Sequence, residues 1–483
     1  NKVMGGAFST NSRRGMLALF GIYWLNSGAS TYNLLPYLYP YIGSYFNSLD
    51  PDINVKSTSF LATFFSYCEA TLMCVAIVLY SRIGAKKTYL IILTWLLLFM
   101  FAASYCTNFY AFACLFSIGN AFATGGYMYI SLYCVWRYYP PEKKGLLSGV
   151  VMSSYAVFPV ITSNIAFYLI NPNNEPTVNG DMFSPEVAAN VPRFIRILAV
   201  FYFVTGILGI LLILEPIEEE IKEEFRSSMQ KKLLDRPDIQ IEGGRRPSTN
   251  AIDIELGLAD QQESDEITWQ DIKDAFKDKL FLKIVVLKIV TFVGFHYFMF
   301  SFKRIGLQYM PKADKFLNFA GNMSSLSNSL FRIAGGVVYQ KYKYGISQGI
   351  VTFVVCTALM IVVPCAMSQS YFLFTFVVCY YYISYGIFIS MYPVAFDDAF
   401  GKQGGLKISL AFSISFSFGC LGFYILSAVL ESIFGEIMVP YIIAGIVALP
   451  LLMVPSISSS IKEKSIRLSK PAQELVTHPK ASN

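Results

Sequence analysis

Twelve stretches of this chain are long and apolar enough to cross a bilayer, and that repetition leaves few folds open. A hydrocarbon core of about 30 Å needs about 20 mostly apolar residues per helix. Backbone inside lipid must also satisfy its own N–H and C=O groups, which only helices and closed barrels achieve. Runs of helical length predict spans at approximately 15–46, 58–80, 88–106, 110–135, 145–170, 194–214, 281–302, 316–339, 346–368, 371–396, 405–430 and 437–456. The first run holds Pro36 and Pro40 and exceeds one span, so part of it is expected to project beyond the membrane. Only 14% of residues are charged, against about 25% in soluble domains. A surface so poor in charge must largely face lipid.

Lys and Arg in short loops set the orientation. With the N-terminus on the cytoplasmic-type side, thirteen such residues fall in loops on that side, among them Arg13, Arg14, Arg82, Lys86, Lys87, Lys143, Lys341 and Lys402. Seven fall opposite: Lys56, Arg193, Arg196, Lys303, Arg304, Lys312 and Lys315. Both termini are therefore expected on the cytoplasmic-type side. Residues 215–280 break the apolar pattern, with 18 of the 32 acidic residues, 10 of the 38 basic ones and a local net charge of −8. They read as an acidic, partly disordered linker. The chain then divides into an N-terminal six-helix bundle (1–214), the linker (215–280), a C-terminal six-helix bundle (281–456) and a polar basic tail (457–483). Outside the linker the net charge is +14, which suits anionic head groups and, equally, anionic solutes.

The halves echo each other. Ser81-Arg82-Ile83-Gly84-Ala85-Lys86-Lys87 follows the second run, and Gln340-Lys341-Tyr342-Lys343-Tyr344-Gly345 follows the eighth. Gly145-Leu146-Leu147-Ser148-Gly149 opens the fifth run, and Gly405-Leu406-Lys407-Ile408-Ser409 opens the eleventh. The leading glycines are offset by 261 and 260 residues. A shared offset predicts a parallel structural repeat, whose solute site lies between the halves near the midplane.

The basic turn after the second run resembles the loop signature of the major facilitator superfamily, Gly-x-x-x-Asp-Arg-x-Gly-Arg-Arg. Arg82, Gly84 and Lys86 match it, while Ile77, Ser81 and Ala85 depart from it. Other stretches resemble the oxalate–formate antiporter and monocarboxylate transporter branch. They are Trp136-Arg137-Tyr138-Tyr139-Pro140 with Lys144-Gly145-Leu146-Leu147-Ser148-Gly149, Asn328-Ser329-Leu330-Phe331-Arg332 with Gly336, Phe400-Gly401 with Gly405, and Gly28 with Tyr32. The resemblance implies an all-α membrane protein of twelve transmembrane helices in a 6+6 major facilitator fold. It also implies gating loops at Arg82, Gly84, Lys86, Lys341 and Gly345, and a role for Arg332 in holding a carboxylate. The oxalate exchanger pattern adds a Lys inside the eleventh helix. Here 408–419 has no interior cation, so a monocarboxylate is expected in preference to a dicarboxylate, with Lys288 as a source of a second charge.

Read from its own surroundings, Arg332 lies deep in an otherwise uncharged run. A guanidinium at that depth faces a watery cavity or a partner, and its planar fork fits a carboxylate. The bland reading is an ion pair that ties helices together. Asn328 is one turn away on the same face, placed to orient the guanidinium, to touch the solute or to bond a neighbouring helix. Glu69, midway along the second run, could carry a proton with the solute or pair with a base elsewhere. Lys288 and His296 share a helical stripe in the seventh run. His296 suits proton coupling or a packing hydrogen bond. Lys303 and Arg304 form either an attractive vestibule for anions or snorkelling anchors. Tyr32, Tyr127, Tyr129 and Tyr385 belong to helices that line the cavity in the family resembled, and packing is the alternative for each.

The nine cysteines are not spaced as CxxC and there are only two histidines, so neither a disulfide framework nor a metal site is expected. Motifs of phosphate binding, metalloprotease and serine hydrolase chemistry are missing from the sequence; neither enzymatic activity, a cofactor nor a nucleic acid partner is expected. The reading is a secondary active transporter of small organic anions, with the lipid bilayer as its other partner. One alternative is a transport-inactive, transporter-like structural subunit of a membrane complex. Another is a facilitator for amino acids or sugars. The plasma membrane and organelles, including the mitochondrial inner membrane, stay open as locations.

Overall fold

A computed structural model describes residues 10–53, 57–139, 143–178, 182–214, 269–310, 314–400 and 404–477. Among them the chain is helical, without a β-strand. The N-terminal half comprises α1 (Thr10–Leu25), a 3-10 turn (Gly28–Ser30), α2 (Thr31–Leu49), α3 (Thr58–Ile83), α4 (Ala85–Ala103), α5 (Phe109–Trp136), α6 (Lys144–Ile170), the short α7 (Pro185–Ala188) and α8 (Val191–Leu212). After α9 (Trp269–Lys277), the C-terminal half comprises α10 (Lys279–Tyr309), α11 (Asp314–Met367), α12 (Tyr371–Phe400), α13 (Gly404–Phe434), α14 (Val439–Ala448) and α15 (Val454–Thr477). Local signals explain several helix starts. Asn108 accepts from Ala111 N–H, Ser184 precedes Pro185, and Asp278 accepts from Leu280 and Phe281 N–H.

Ten helices are long and apolar enough to cross a membrane by length and composition. The outward faces are apolar: Leu98, Leu211, Phe353, Phe372 and Leu452 are all exposed. This is an integral membrane protein. The first and eighth expected runs are helical but do not reach the hydropathy of the ten. The first is broken into α1, the 3-10 turn and α2; the eighth forms the first segment of α11, with Asn318, Asn322, Ser324, Ser325, Asn328 and Arg332. Those polar residues are buried. They face other helices, where hydrogen-bond partners replace lipid.

The expected linker lies largely outside the described residues, and its final part is α9 together with the start of α10. The tail, expected as a polar extension, is helical as far as Thr477. Lys464 Nζ sits 2.5 Å from Asp278 Oδ2, tying α15 to the beginning of α10.

Two seams join the halves: α3 packs on α13, and α6 on α11. Exchanging each helix for its repeat partner converts one seam into the other, as a parallel repeat requires. The α6–α11 seam is antiparallel and polar along its length. Asn171 bonds Asp314, Asn164 bonds Asn318, Ser163 bonds Asn322 and the Met152 carbonyl accepts from Arg332.

The basic turns sit at one end of the bundle. Gly84 has φ 77° and ψ 173°, letting α3 reverse into α4 within one residue. The expected counterpart was Gly345, but the break in α11 falls at Lys343, with φ 57° and ψ −174°. Gly345 lies inside the following helical segment, against Ser458. The repeat register is thus two residues earlier than the glycines suggest. A side chain in this backbone region costs about 1–3 kcal/mol. The exposed Lys343–Asp398 contact at 3.6 Å returns no more than about 1 kcal/mol. Lys343→Gly should therefore raise the thermal unfolding midpoint of purified protein, by about 1 kcal/mol in stability. Gly84→Ala should lower it, and a thermal melt of the two variants reads both effects.

Candidate functional site

A cavity lies between the two seams. Tyr32, Asn33, Glu69, Met73, Thr124, Met152 and Tyr155 line it from the N-terminal half, and Arg332, Tyr385, Ile389, Ser413 and Phe416 from the other. Its volume is about 50 Å3. One water needs roughly 10–15 Å3 in the same measure, so the space is that of roughly three to five waters. It is small and bounded by both halves.

Arg332 projects into this cavity from α11 and is buried. Two close backbone approaches hold its turn of helix. A Cβ at Gly149 of α6 would stand 2.6 Å from the Arg332 carbonyl oxygen, and one at Gly386 of α12 would stand 3.0 Å from the Arg332 nitrogen. No larger residue fits either place without moving backbone. Arg332 Nε donates to Asn328 Oδ1 at 3.0 Å, and Nη1 to the Met152 carbonyl oxygen at 2.6 Å. The guanidinium carbon lies 5.5 Å from the centre of the Tyr385 ring. Asn328 therefore orients the guanidinium rather than lining the cavity. Among the described residues Arg332 has no carboxylate partner, and Nη2 donates to no protein acceptor. The ion-pair reading of this residue does not apply.

Glu69 lines the same cavity from α3. The residue is 7% exposed, its carboxyl forms no ion pair among the described residues, and its buried Oε2 has no hydrogen-bond partner among them. Tyr155 and Tyr385 each lie within electrostatic reach of both Glu69 and Arg332. A carboxyl and a guanidinium thus face one space without closing on each other.

Of the candidate tyrosines, Tyr32 and Tyr385 reach the cavity. Tyr127 does not; it is buried within the N-terminal half, edge-on to Tyr89. Tyr129 lies on α5, and its side chain is outside the described ones. Lys288 sits apart from the cavity, fully buried, with its ammonium 4.0 Å from the centre of the Tyr392 ring and close to Phe292 and Phe388. That cage favours a cation and keeps it off the cavity surface. His296 stands behind the wall, stacked on Phe292 and Phe300 and edge-on to Phe416. Arg82, Gly84, Lys86 and Lys341 are exposed at the basic end.

Lys303 and Arg304 are not an open vestibule. Arg304 meets Glu431 at 2.8 Å and Glu436 at 3.0 Å. Lys303 is buried, 2.9 Å from Asp314 and 3.2 Å from the Tyr37 carbonyl oxygen. Neighbouring carboxylates thus neutralise both cations. Asp314 also accepts from Tyr41 at 2.6 Å and Asn171 at 3.1 Å. Both donors belong to the other half, so Asp314 clasps the two halves at the end opposite the basic turns. Sequence reading missed Asp314, Tyr41 and Asn171 because they lie near span ends, where polar residues are ordinary. It missed the Met152 carbonyl because a backbone acceptor leaves no mark in residue types. Tyr155 offered only an aromatic in an apolar run.

A helical membrane bundle of two related halves, with a charged cavity set into the seam between them, is the architecture of a membrane transporter. The family model of the Major Facilitator Superfamily matches residues 19–423, and the chain belongs to that superfamily. No curated protein matches the chain.

The Asp314 clasp has a measurable energy. Removing one member of a buried ion pair strands the other and costs about 3–5 kcal/mol, whereas replacing both with apolar residues is far milder. Asp314→Ala should therefore lower the melting temperature of the purified protein sharply. Asp314→Leu combined with Lys303→Met should recover most of the loss.

Proposed function

We propose that this protein is a secondary active transporter of small organic anions, monocarboxylates foremost, working by alternating access with proton symport or exchange. The observation that carries the reading is Arg332, a buried guanidinium with no acid beside it and donors left over at a cavity between the halves. An unneutralised charge at that depth is costly, and an entering carboxylate supplies both the counter-charge and two in-plane acceptors. The resemblance of Asn328, Arg332 and Gly336 to the monocarboxylate transporter branch supports the same assignment.

The two seams support alternating access. Arg332 already spans them through the Met152 carbonyl, so a solute that reorganises this guanidinium alters a bond between the halves. At one end the Asp314 clasp must part for the cavity to open. At the other, the close packing of α6 on α11 around Gly149 must part instead. The solute reaches Arg332 from one side at a time. Coupling to protons assigns Glu69 as the carrier, because it is the carboxylate that lines the cavity.

Proteoliposome uptake of labelled lactate, pyruvate, formate and oxalate, with and without an inward proton gradient, tests the reading. Wild type should show saturable monocarboxylate uptake, with oxalate the poorest of the four. Arg332→Ala should lower uptake about 100-fold, the loss of one or two charge-assisted hydrogen bonds. Arg332→Lys should fail to restore it, because a point charge lacks the planar fork. Undiminished uptake by a folded Arg332→Ala protein would falsify the assignment.

A further inference from the structure

Resting on that assignment of Arg332 to a carboxylate, we infer that the solute also carries an ammonium group and that Glu69 receives it. Among monocarboxylates the preferred class is then one that also bears an ammonium, an α-amino acid with a compact apolar side chain.

Glu69 and Arg332 enter the cavity from different halves, one on α3 and the other on α11. Each is at least nine-tenths buried and each has bonding capacity unused by the protein. Opposite charges in one low-dielectric space attract strongly, yet these two form no ion pair. Their backbones are held in place. A Cβ at Gly125 of α5 would stand 3.0 Å from the Glu69 carbonyl oxygen and 3.2 Å from its Cγ, and Gly149 and Gly386 fix the Arg332 turn. A preorganised gap between a fixed carboxylate and a fixed guanidinium is complementary to a molecule with the reverse arrangement.

Competing solutes fit less well. A simple monocarboxylate satisfies Arg332 but leaves the Glu69 carboxyl without a donor, and it avoids a second anion in the same space only when that carboxyl is protonated. A dicarboxylate sets one of its charges against Glu69. A zwitterion neutralises both groups and adds no net charge. Between its poles the wall is apolar, formed by Met73, Met152, Ile389 and Phe416. The space of roughly three to five waters limits the side chain to a few carbon atoms. Because the poles belong to different halves, a bound zwitterion also bridges the seam, which a monocarboxylate held by Arg332 alone does not.

The experiment compares L-alanine with L-lactate, which differ by an ammonium in place of a hydroxyl. Counterflow of each labelled compound is measured in proteoliposomes at equal pH on both sides, so that a proton gradient drives neither. Alanine should exchange at least about tenfold faster than lactate in the wild type, since a site built around a polar partner discriminates against the analogue lacking it. Glu69→Gln should remove that preference, bringing alanine exchange down to no more than the rate at which the same variant exchanges lactate. Glu69→Asp, which keeps the charge, should retain the direction of preference. Arg332→Ala should silence both solutes.

Equal or faster lactate exchange in the wild type overturns the zwitterion and leaves the carboxylate assignment standing, with Glu69 returned to proton carriage. Persistence of the alanine preference in Glu69→Gln overturns the role of Glu69. Failure of both compounds to exchange, in wild type that melts cooperatively, overturns the Arg332 assignment itself. The wild-type comparison needs no variant, so a misfolded substitution cannot rescue the idea.

Discussion

Keeping a guanidinium out of lipid and out of bulk water is the constraint around which the centre of this protein is arranged. Arg332 cannot lose its proton at any relevant pH, so the fold must supply acceptors, a cavity or both. It supplies Asn328 on its own helix, a carbonyl of the opposite half, the face of Tyr385 and a small cavity. Each provision demands another feature. Reaching the Met152 carbonyl requires α6 and α11 to approach closely, and that approach requires a bare Gly149. Charge, hydrogen bond and helix packing are therefore one arrangement rather than three.

The same logic extends along the α6–α11 seam. Hydrophobicity does not hold helices together inside a bilayer, because lipid tails are as apolar as side chains. Hydrogen bonds between small polar residues do so instead. The ladder from Asn171–Asp314 through Asn164–Asn318 and Ser163–Asn322 to Met152–Arg332 is such a glue. The α3–α13 seam carries its own version, with Ser417 donating to the Ser66 carbonyl and Ser413 to Met73 Sδ. Polar contacts of modest strength can be broken and remade, unlike a jigsaw of large apolar side chains. Seams built this way suit the alternating access proposed for this protein.

Burial sorted the charged candidates in a way that composition did not. Arg332, Glu69, Lys288, Lys303 and Arg304 all lie in or beside apolar runs, and each had an argument for solute contact. The structure gives Lys303 and Arg304 carboxylate partners and surrounds Lys288 with aromatic rings. Among the described residues, Arg332 and Glu69 are the ionisable side chains that face the cavity without a protein counter-charge. His296 shares a stripe with Lys288, as helical spacing requires, but that stripe meets aromatic rings rather than the cavity. The repeat shows a similar limit. Matching glycines located the second basic turn to within two residues, but the sharp dihedral sits at Lys343 and the glycine lies in the next helix.

By itself the sequence determined the membrane character and the helical class, and it offered the division into halves and the interest of Arg332 as readings from the same line of residues. Those features are one-dimensional: hydropathy, period, internal offset and a charge out of place are all readable along a line. Only the tertiary structure decided which buried charges are already neutralised, which tyrosines reach the cavity, and that Glu69 and Arg332 look into the same space. Those outcomes depend on which helix faces which, and a residue on α3 is brought opposite one on α11 by packing across a seam that no local pattern encodes.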